Sequence, residues 1–137
     1  MFKALIIEDH PKWQKKLEKI LQEEGYSPSV AGTQEEALNF LELSEEKNEV
    51  YLLITVDLML DENPDDLGGI EILKKITNLF DRFGTSVIIV TASDRKNFDQ
   101  VFSVYPHINN YYQKYDKGNE GFRETEFRQE VRSLLPK

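Results

Sequence analysis

Short apolar runs alternate with stretches of helical periodicity along the whole chain. Ala4-Leu5-Ile6-Ile7 is apolar at every position, the pattern of a strand covered on both faces. Pro11 suits the first turn of a helix, and Trp13, Leu17, Ile20 and Leu21 recur at three- and four-residue spacing until Gly25 offers a stop. Ser27 to Ala31 reads as a second strand. Thr33-Gln34-Glu35-Glu36 has the form of a capping box ahead of Ala37, Leu38, Phe40 and Leu41, which predicts a second helix. Tyr51 to Val56 is a third strand running into Asp57, followed by the polar loop Asp61-Glu62-Asn63-Pro64-Asp65-Asp66-Leu67-Gly68-Gly69. Ile70, Leu73, Ile76 and Phe80 mark a third helix, and Ser86 to Val90 a fourth strand ending at Thr91. Phe98, Val101, Phe102 and Tyr105 predict a fourth helix closed by Pro106. Ile108 to Tyr112 reads as a fifth strand with Lys114 just beyond, and Phe127, Val131, Leu134 and Leu135 give a last amphipathic helix. Strand–helix alternation five times over predicts an α/β domain, a parallel sheet with helices on both faces.

Composition narrows this picture. A chain of 137 residues fits one domain, 1–137, which buries enough surface to need no metal or disulfide to hold it. Seventeen Lys+Arg against 25 Asp+Glu leave a net charge of −8, which argues against direct nucleic-acid binding or an anionic membrane surface, since both call for a basic patch. The absence of cysteine excludes a disulfide framework, a thiolate metal site and a cysteine nucleophile. No run approaches the roughly 20 apolar residues of a membrane span. The first apolar run is too short for a signal peptide, and two carboxylates follow it. The expectation is a soluble, cytoplasmic domain.

The chemistry-bearing side chains fall at strand ends. Glu8 and Asp9 follow the first strand, Asp57 the third, Thr91 ends the fourth and Lys114 follows the fifth. In an open parallel sheet, ligands bind outside the carboxyl ends of the strands, where the strand order reverses. Three carboxylates gathered there repel one another unless a cation neutralises them, and oxygen ligands suit a hard divalent ion such as Mg²⁺. The lysine and the hydroxyl then face anionic oxygens. The outline is that of a phosphoryl-transfer site.

Glu8-Asp9, Asp57, Thr91-Ala92 and Lys114, each at its strand end over a span from about Phe2 to Leu135, resemble the response-regulator receiver domain of two-component signalling. The resemblance implies a doubly wound, flavodoxin-like sheet of order 2-1-3-4-5. It implies that Asp57 is the phosphoacceptor, taking a phosphoryl group from a sensor histidine kinase or a histidine phosphotransfer protein. Glu8, Asp9, Asp57 and the backbone carbonyl of Met59 would hold Mg²⁺. Thr91 and Lys114 would meet phosphoryl oxygens, and Thr91 with Tyr111 would form the switch. Ala92 would keep the acceptor accessible. The family signals through the face made by its fourth helix, fifth strand and fifth helix, so the tyrosines Tyr105, Tyr111, Tyr112 and Tyr115 suggest a homodimer or effector surface there. Such a domain is a signalling acceptor rather than an enzyme, with at most self-catalysed phosphorylation and dephosphorylation.

Two features depart from the family pattern. Lys114 precedes Tyr115 where the family usually has a proline after a cis bond, and a cis bond before a non-proline residue costs about 2.5–4 kcal/mol; the expectation is trans, with Lys117 as the fallback lysine. The acceptor loop is lengthened by Asp61 to Asp66, with Asp61 in place of the usual proline. Other readings are weaker on chemistry. A flavodoxin-type cofactor site needs backbone N–H groups after the first strand, and Glu8-Asp9-His10-Pro11 offers carboxylates and a proline instead. An Asp-nucleophile phosphatase places a second aspartate two residues after the first, and that position is Met59. A pseudo-receiver, an interaction module that is not phosphorylated, is the alternative of a different class. Asp9 or His10 can also serve as the cap of the first helix, before Pro11. Otherwise His10 and His107 read as incidental, and Trp13 as core.

Overall fold

The computed structural model describes residues 2–58, 72–78, 84–92, 108–114 and 121–136. Met59, the acidic loop 61–66, the flanks Ile70 and Phe80 of the third helix, the whole fourth helix, His107, Tyr115 and Lys117 lie outside these residues. So does the far side of the Lys114–Tyr115 bond.

Five strands form one sheet: β1 (Phe2–Ile7), β2 (Tyr26–Ala31), β3 (Leu53–Val56), β4 (Ser86–Thr91) and β5 (Ile108–Gln113). All pairings are parallel, and the order is β2-β1-β3-β4-β5, as expected. Alternate residues of each strand feed two apolar layers. Leu5, Ile7, Ile54, Val56, Val87 and Ile89 pack beneath helix α2 (Gln34–Lys47) and the helical segment 72–78, through Ala37, Leu41, Ile72, Leu73 and Ile76. Ala4, Ile6, Leu53, Ile88 and Val90 pack on the other face against α1 (Pro11–Glu23) and the C-terminal helix Glu124–Ser133, through Trp13, Leu17, Ile20, Phe127 and Val131. Burying each of the larger of these side chains contributes roughly 1.5–3 kcal/mol, and coverage on both faces is why β1, β3 and β4 read as continuous apolar runs.

Local chemistry sets the boundaries. His10 caps α1, its Nδ1 accepting from Lys12 N at 3.2 Å, with Pro11 in the first turn. The helix ends before Gly25, whose φ of 102° needs a residue without a Cβ. Thr33 caps α2, its Oγ1 accepting from Glu36 N at 3.1 Å. Pro28 is tolerated because β2 is an edge strand. A register shift between Val87 and Ile88 interrupts the β4–β5 ladder, and the Asn109 side chain fills it by accepting from Val87 N at 2.8 Å. Among the described residues no helix is long and apolar enough to cross a membrane.

Candidate functional site

The strand order reverses between β1 and β3, and the helical segments that follow these two strands cover opposite faces of the sheet. A crevice therefore opens at their carboxyl ends. Backbone bonds one rung past the strands bring residues to it. Glu8 N donates to Ala31 O at 3.0 Å, Asp57 N to Ile7 O at 3.0 Å, and Lys114 N to Thr91 O at 2.8 Å. These side chains thus inherit their positions from the sheet ladder rather than from a loop.

Both oxygens of the buried Asp57 carboxylate are engaged. Thr91 Oγ1 donates to Oδ1 at 2.8 Å and Lys114 Nζ donates to Oδ2 at 2.8 Å. Lys114 Nζ also lies 2.6 Å from Glu8 Oε1. The other Glu8 oxygen accepts from His10 N at 3.1 Å, and Gln14 Nε2 donates to the Glu8 carbonyl at 2.7 Å. That amide passes close to Gly32, where a Cβ would come within 3.0 Å of Gln14 Nε2. A side chain at position 32 would crowd the group that steadies Glu8.

Glu8, Asp9 and Asp57 each present a carboxylate oxygen within 4.8 Å of the other two. Glu8 and Asp57 are buried and Asp9 is half-buried. Burial pushes the Glu8 pKa from 4.5 to about 7, the charge on Asp57 adds to the rise, and Lys114 holds it back. For Lys114, burial is the largest influence and pulls its pKa down. Asp57 and Glu8 together outweigh it, so the net direction is up and the ammonium stays charged. One ammonium, paired with Glu8 and Asp57, stands in a cluster of three carboxylates. The donor set is all oxygen, carries an excess of negative charge and has one half-exposed member, which fits a hard divalent ion such as Mg²⁺ that keeps part of its water shell.

The five side chains expected at one sheet edge are thus together. Tyr111 is 8% exposed, packed in the layer that holds Ile54, Ile89 and Leu73. Tyr112 is 2% exposed on the opposite layer, where its hydroxyl donates to Glu130 Oε1 at 2.5 Å. The expectation of exposed tyrosines does not hold for this pair. Consecutive strand residues point to opposite faces, and both faces of β5 are covered here. Two contributors escaped the sequence reading. Gln14 steadies Glu8, and Trp13, read as core only, also places its ring centroid 5.4 Å from Lys114 Nζ. Their place in the first turns of the helix that follows Glu8-Asp9 was the available signal.

Fold and site define a doubly wound parallel domain with an acidic pocket at its switch point. The family model for the response regulator receiver domain matches residues 4–117, and the chain belongs to that family. Receiver domains are signalling modules rather than classical enzymes. Similar solved structures include a CheY-like response regulator receiver domain protein from Methanospirillum hungatei JF-1, at 26% identity and TM-score 0.70, covering 97% of this chain and 92% of that one. Another is the response regulator protein TrrA from Thermotoga maritima in complex with Mg²⁺-BeF, at 24% identity and TM-score 0.68, covering 98% and 100%. A third is a signal receiver domain of a two-component signal transduction histidine kinase from Clostridium thermocellum, at 22% identity and TM-score 0.74, covering 99% and 98%. No curated protein gives a significant match.

Proposed function

We propose that the chain is a single receiver domain, 1–137, that accepts a phosphoryl group on Asp57 from a phosphohistidine of a cytoplasmic partner, a sensor histidine kinase or a histidine phosphotransfer protein. One observation carries the reading: a buried aspartate whose two oxygens are met at 2.8 Å by a hydroxyl and an ammonium, beside two further carboxylates. In the transfer a carboxylate oxygen of Asp57 forms the new O–P bond as the N–P bond of the donor breaks, and the imidazole leaves. Thr91 and Lys114, already on the Asp57 oxygens, are placed to donate to phosphoryl oxygens instead. Glu8, Asp9, Asp57 and the Met59 carbonyl would hold Mg²⁺, which supplies charge neutralisation for the anionic group. Positioning and charge compensation are the main sources of rate in such chemistry. Tyr111 follows Thr91 as the switch and passes the change to the surface around β5, where a second copy or an effector binds.

The test is mass spectrometry after incubation with acetyl phosphate and Mg²⁺. The expected result is one added phosphoryl group that requires Mg²⁺ and is absent from Asp57→Asn. No adduct on the wild-type protein, from acetyl phosphate or from a panel of histidine phosphodonors, would replace this reading with that of a pseudo-receiver that acts through binding alone.

A further inference from the structure

Among the described residues the Lys114 ammonium has three neighbours of two kinds. Glu8 Oε1 at 2.6 Å and Asp57 Oδ2 at 2.8 Å are carboxylate oxygens from the residues of the acidic cluster. The third neighbour is the indole of Trp13, with Nζ 5.4 Å from the ring centroid, inside the roughly 6 Å range of cation–π attraction. Such attraction is strongest where water is excluded, and Trp13 and Lys114 are 4% and 5% exposed. The ring is held from behind. Phe122 meets it edge-on at 5.2 Å and 86°, and packs in turn on Tyr112 and Phe127. A second ammonium, Lys16 Nζ, lies 5.0 Å from the Trp13 ring.

We propose that Trp13 is a positioning residue for Lys114: its buried indole keeps the ammonium at the site while the carboxylates around it change partners. The proposal rests on the reading of Lys114 as a phosphoryl partner. Glu8 and Asp57 are the two neighbours whose charge is engaged elsewhere when a cation or a phosphoryl group arrives. The ring carries the same negative face in every state. Lysine has a long flexible stem, and a contact that does not change through the exchange limits where Nζ goes when its ion pairs loosen. A carbon side chain of similar bulk without an aromatic face fills the space and lacks the attraction.

The experiment compares the wild-type protein with Trp13→Leu and Trp13→Phe, following adduct formation from acetyl phosphate by mass spectrometry and Mg²⁺ affinity by calorimetry. The expected result is a loss of about tenfold in the rate for Trp13→Leu, largely recovered in Trp13→Phe, with Mg²⁺ affinity held within about threefold. A wild-type rate in Trp13→Leu, an equal loss in both variants, or a parallel loss of Mg²⁺ affinity would overturn it. Trp13 is the only tryptophan, so its emission gives an independent reading. In folded, ion-free Lys114→Met, loss of the cation should shift the emission relative to wild type. That comparison tests the contact by itself if Trp13→Leu does not fold; a wild-type protein that takes no phosphoryl group overturns the functional reading and the positioning role with it, whatever the emission shows. Unchanged emission in a variant folded by circular dichroism counts against the contact.

Discussion

Lys114 Nζ stands 2.8 Å from Asp57 Oδ2, with the two side chains 5% and 4% exposed, so the ion pair is shut away from water. Losing one member of such a pair typically costs about 3–5 kcal/mol, because the other charge stays buried and uncompensated. Lys114→Met also leaves Glu8 and Asp57 facing each other. The expected loss is about 3 kcal/mol in urea denaturation of the ion-free protein at pH 8, with a smaller loss under saturating Mg²⁺. An equal loss with and without Mg²⁺ would mean that lysine and cation do not serve the same carboxylates.

Glu8 makes the ion-free protein sensitive to pH. Its pKa rises from 4.5 in the unfolded chain to about 7 in the fold, chiefly through burial. The folded state therefore holds a proton that the unfolded state gives up between these values. The contribution is fully present below pH 4.5 and is lost as pH climbs through about 7. The ion-free protein should accordingly fall in stability across that window by up to roughly 3 kcal/mol. Glu8→Gln, which carries no proton to lose, should flatten the slope. Mg²⁺ competes with the proton for this carboxylate, so its stabilising effect should grow over the same window. Thermal melts at several pH values, with and without Mg²⁺, check the sign. A Glu8→Gln slope as steep as wild type would assign the pH dependence to other groups.

The strands and the gathering of the candidate-site residues at one sheet edge were largely legible, for a physical reason. In a parallel sheet covered on both faces, an apolar run ends where the ladder ends, so Glu8 and Asp57 stand out as the polar residues just after Ile7 and Val56. Lys114 follows a mixed strand that already holds Asn109, Asn110 and Gln113, and is picked out by its place one residue past the fifth strand. What depends on side chains meeting across the fold was not legible. Trp13 and Lys114 are far apart in sequence, and helical spacing shows only that Trp13 faces inward, not that an ammonium lies over it. Tyr111 and Tyr112 looked available because the receiver family signals through the face that includes its fifth strand. Their burial comes from the elements packed on each face of the sheet, including a glutamate, Glu130, that accepts the Tyr112 hydroxyl from the C-terminal helix.

Tyr26 ties the edge of the sheet to the end of the chain. Its hydroxyl donates to Val131 O at 2.6 Å, one of the last-turn carbonyls that a helix leaves without an internal partner. Tyr26→Phe fills the same space and leaves that carbonyl buried and unmet, so it should cost about 1–2 kcal/mol in denaturant melts. Burial also pushes the Tyr26 pKa from 10.0 up to about 12. The neutral phenol's contribution is complete below pH 10 and is lost as pH rises through about 12, so wild type should lose more stability in alkali than Tyr26→Phe. Parallel alkaline slopes would show that ionisation of Tyr26 is not coupled to unfolding.

Thr91 is fully buried and its hydroxyl is committed to Asp57 Oδ1 at 2.8 Å. Two effects follow from removing it, and they separate in different variants. Thr91→Ala takes away a donor to a buried carboxylate and opens a small void, for an expected cost of about 1–3 kcal/mol in stability. It also removes the donor proposed to meet a phosphoryl oxygen, so adduct formation from acetyl phosphate should slow by about tenfold or more. Thr91→Ser keeps the hydroxyl and gives up only the methyl group. It should lose stability through that methyl, by about 1 kcal/mol, yet retain most of the phosphorylation rate. Rate and stability thus part company in the serine variant and fall together in alanine. Should the serine variant react as slowly as alanine, the threonine's packing rather than its hydroxyl would govern the acceptor, and the assignment of Thr91 as a phosphoryl donor would have to be withdrawn.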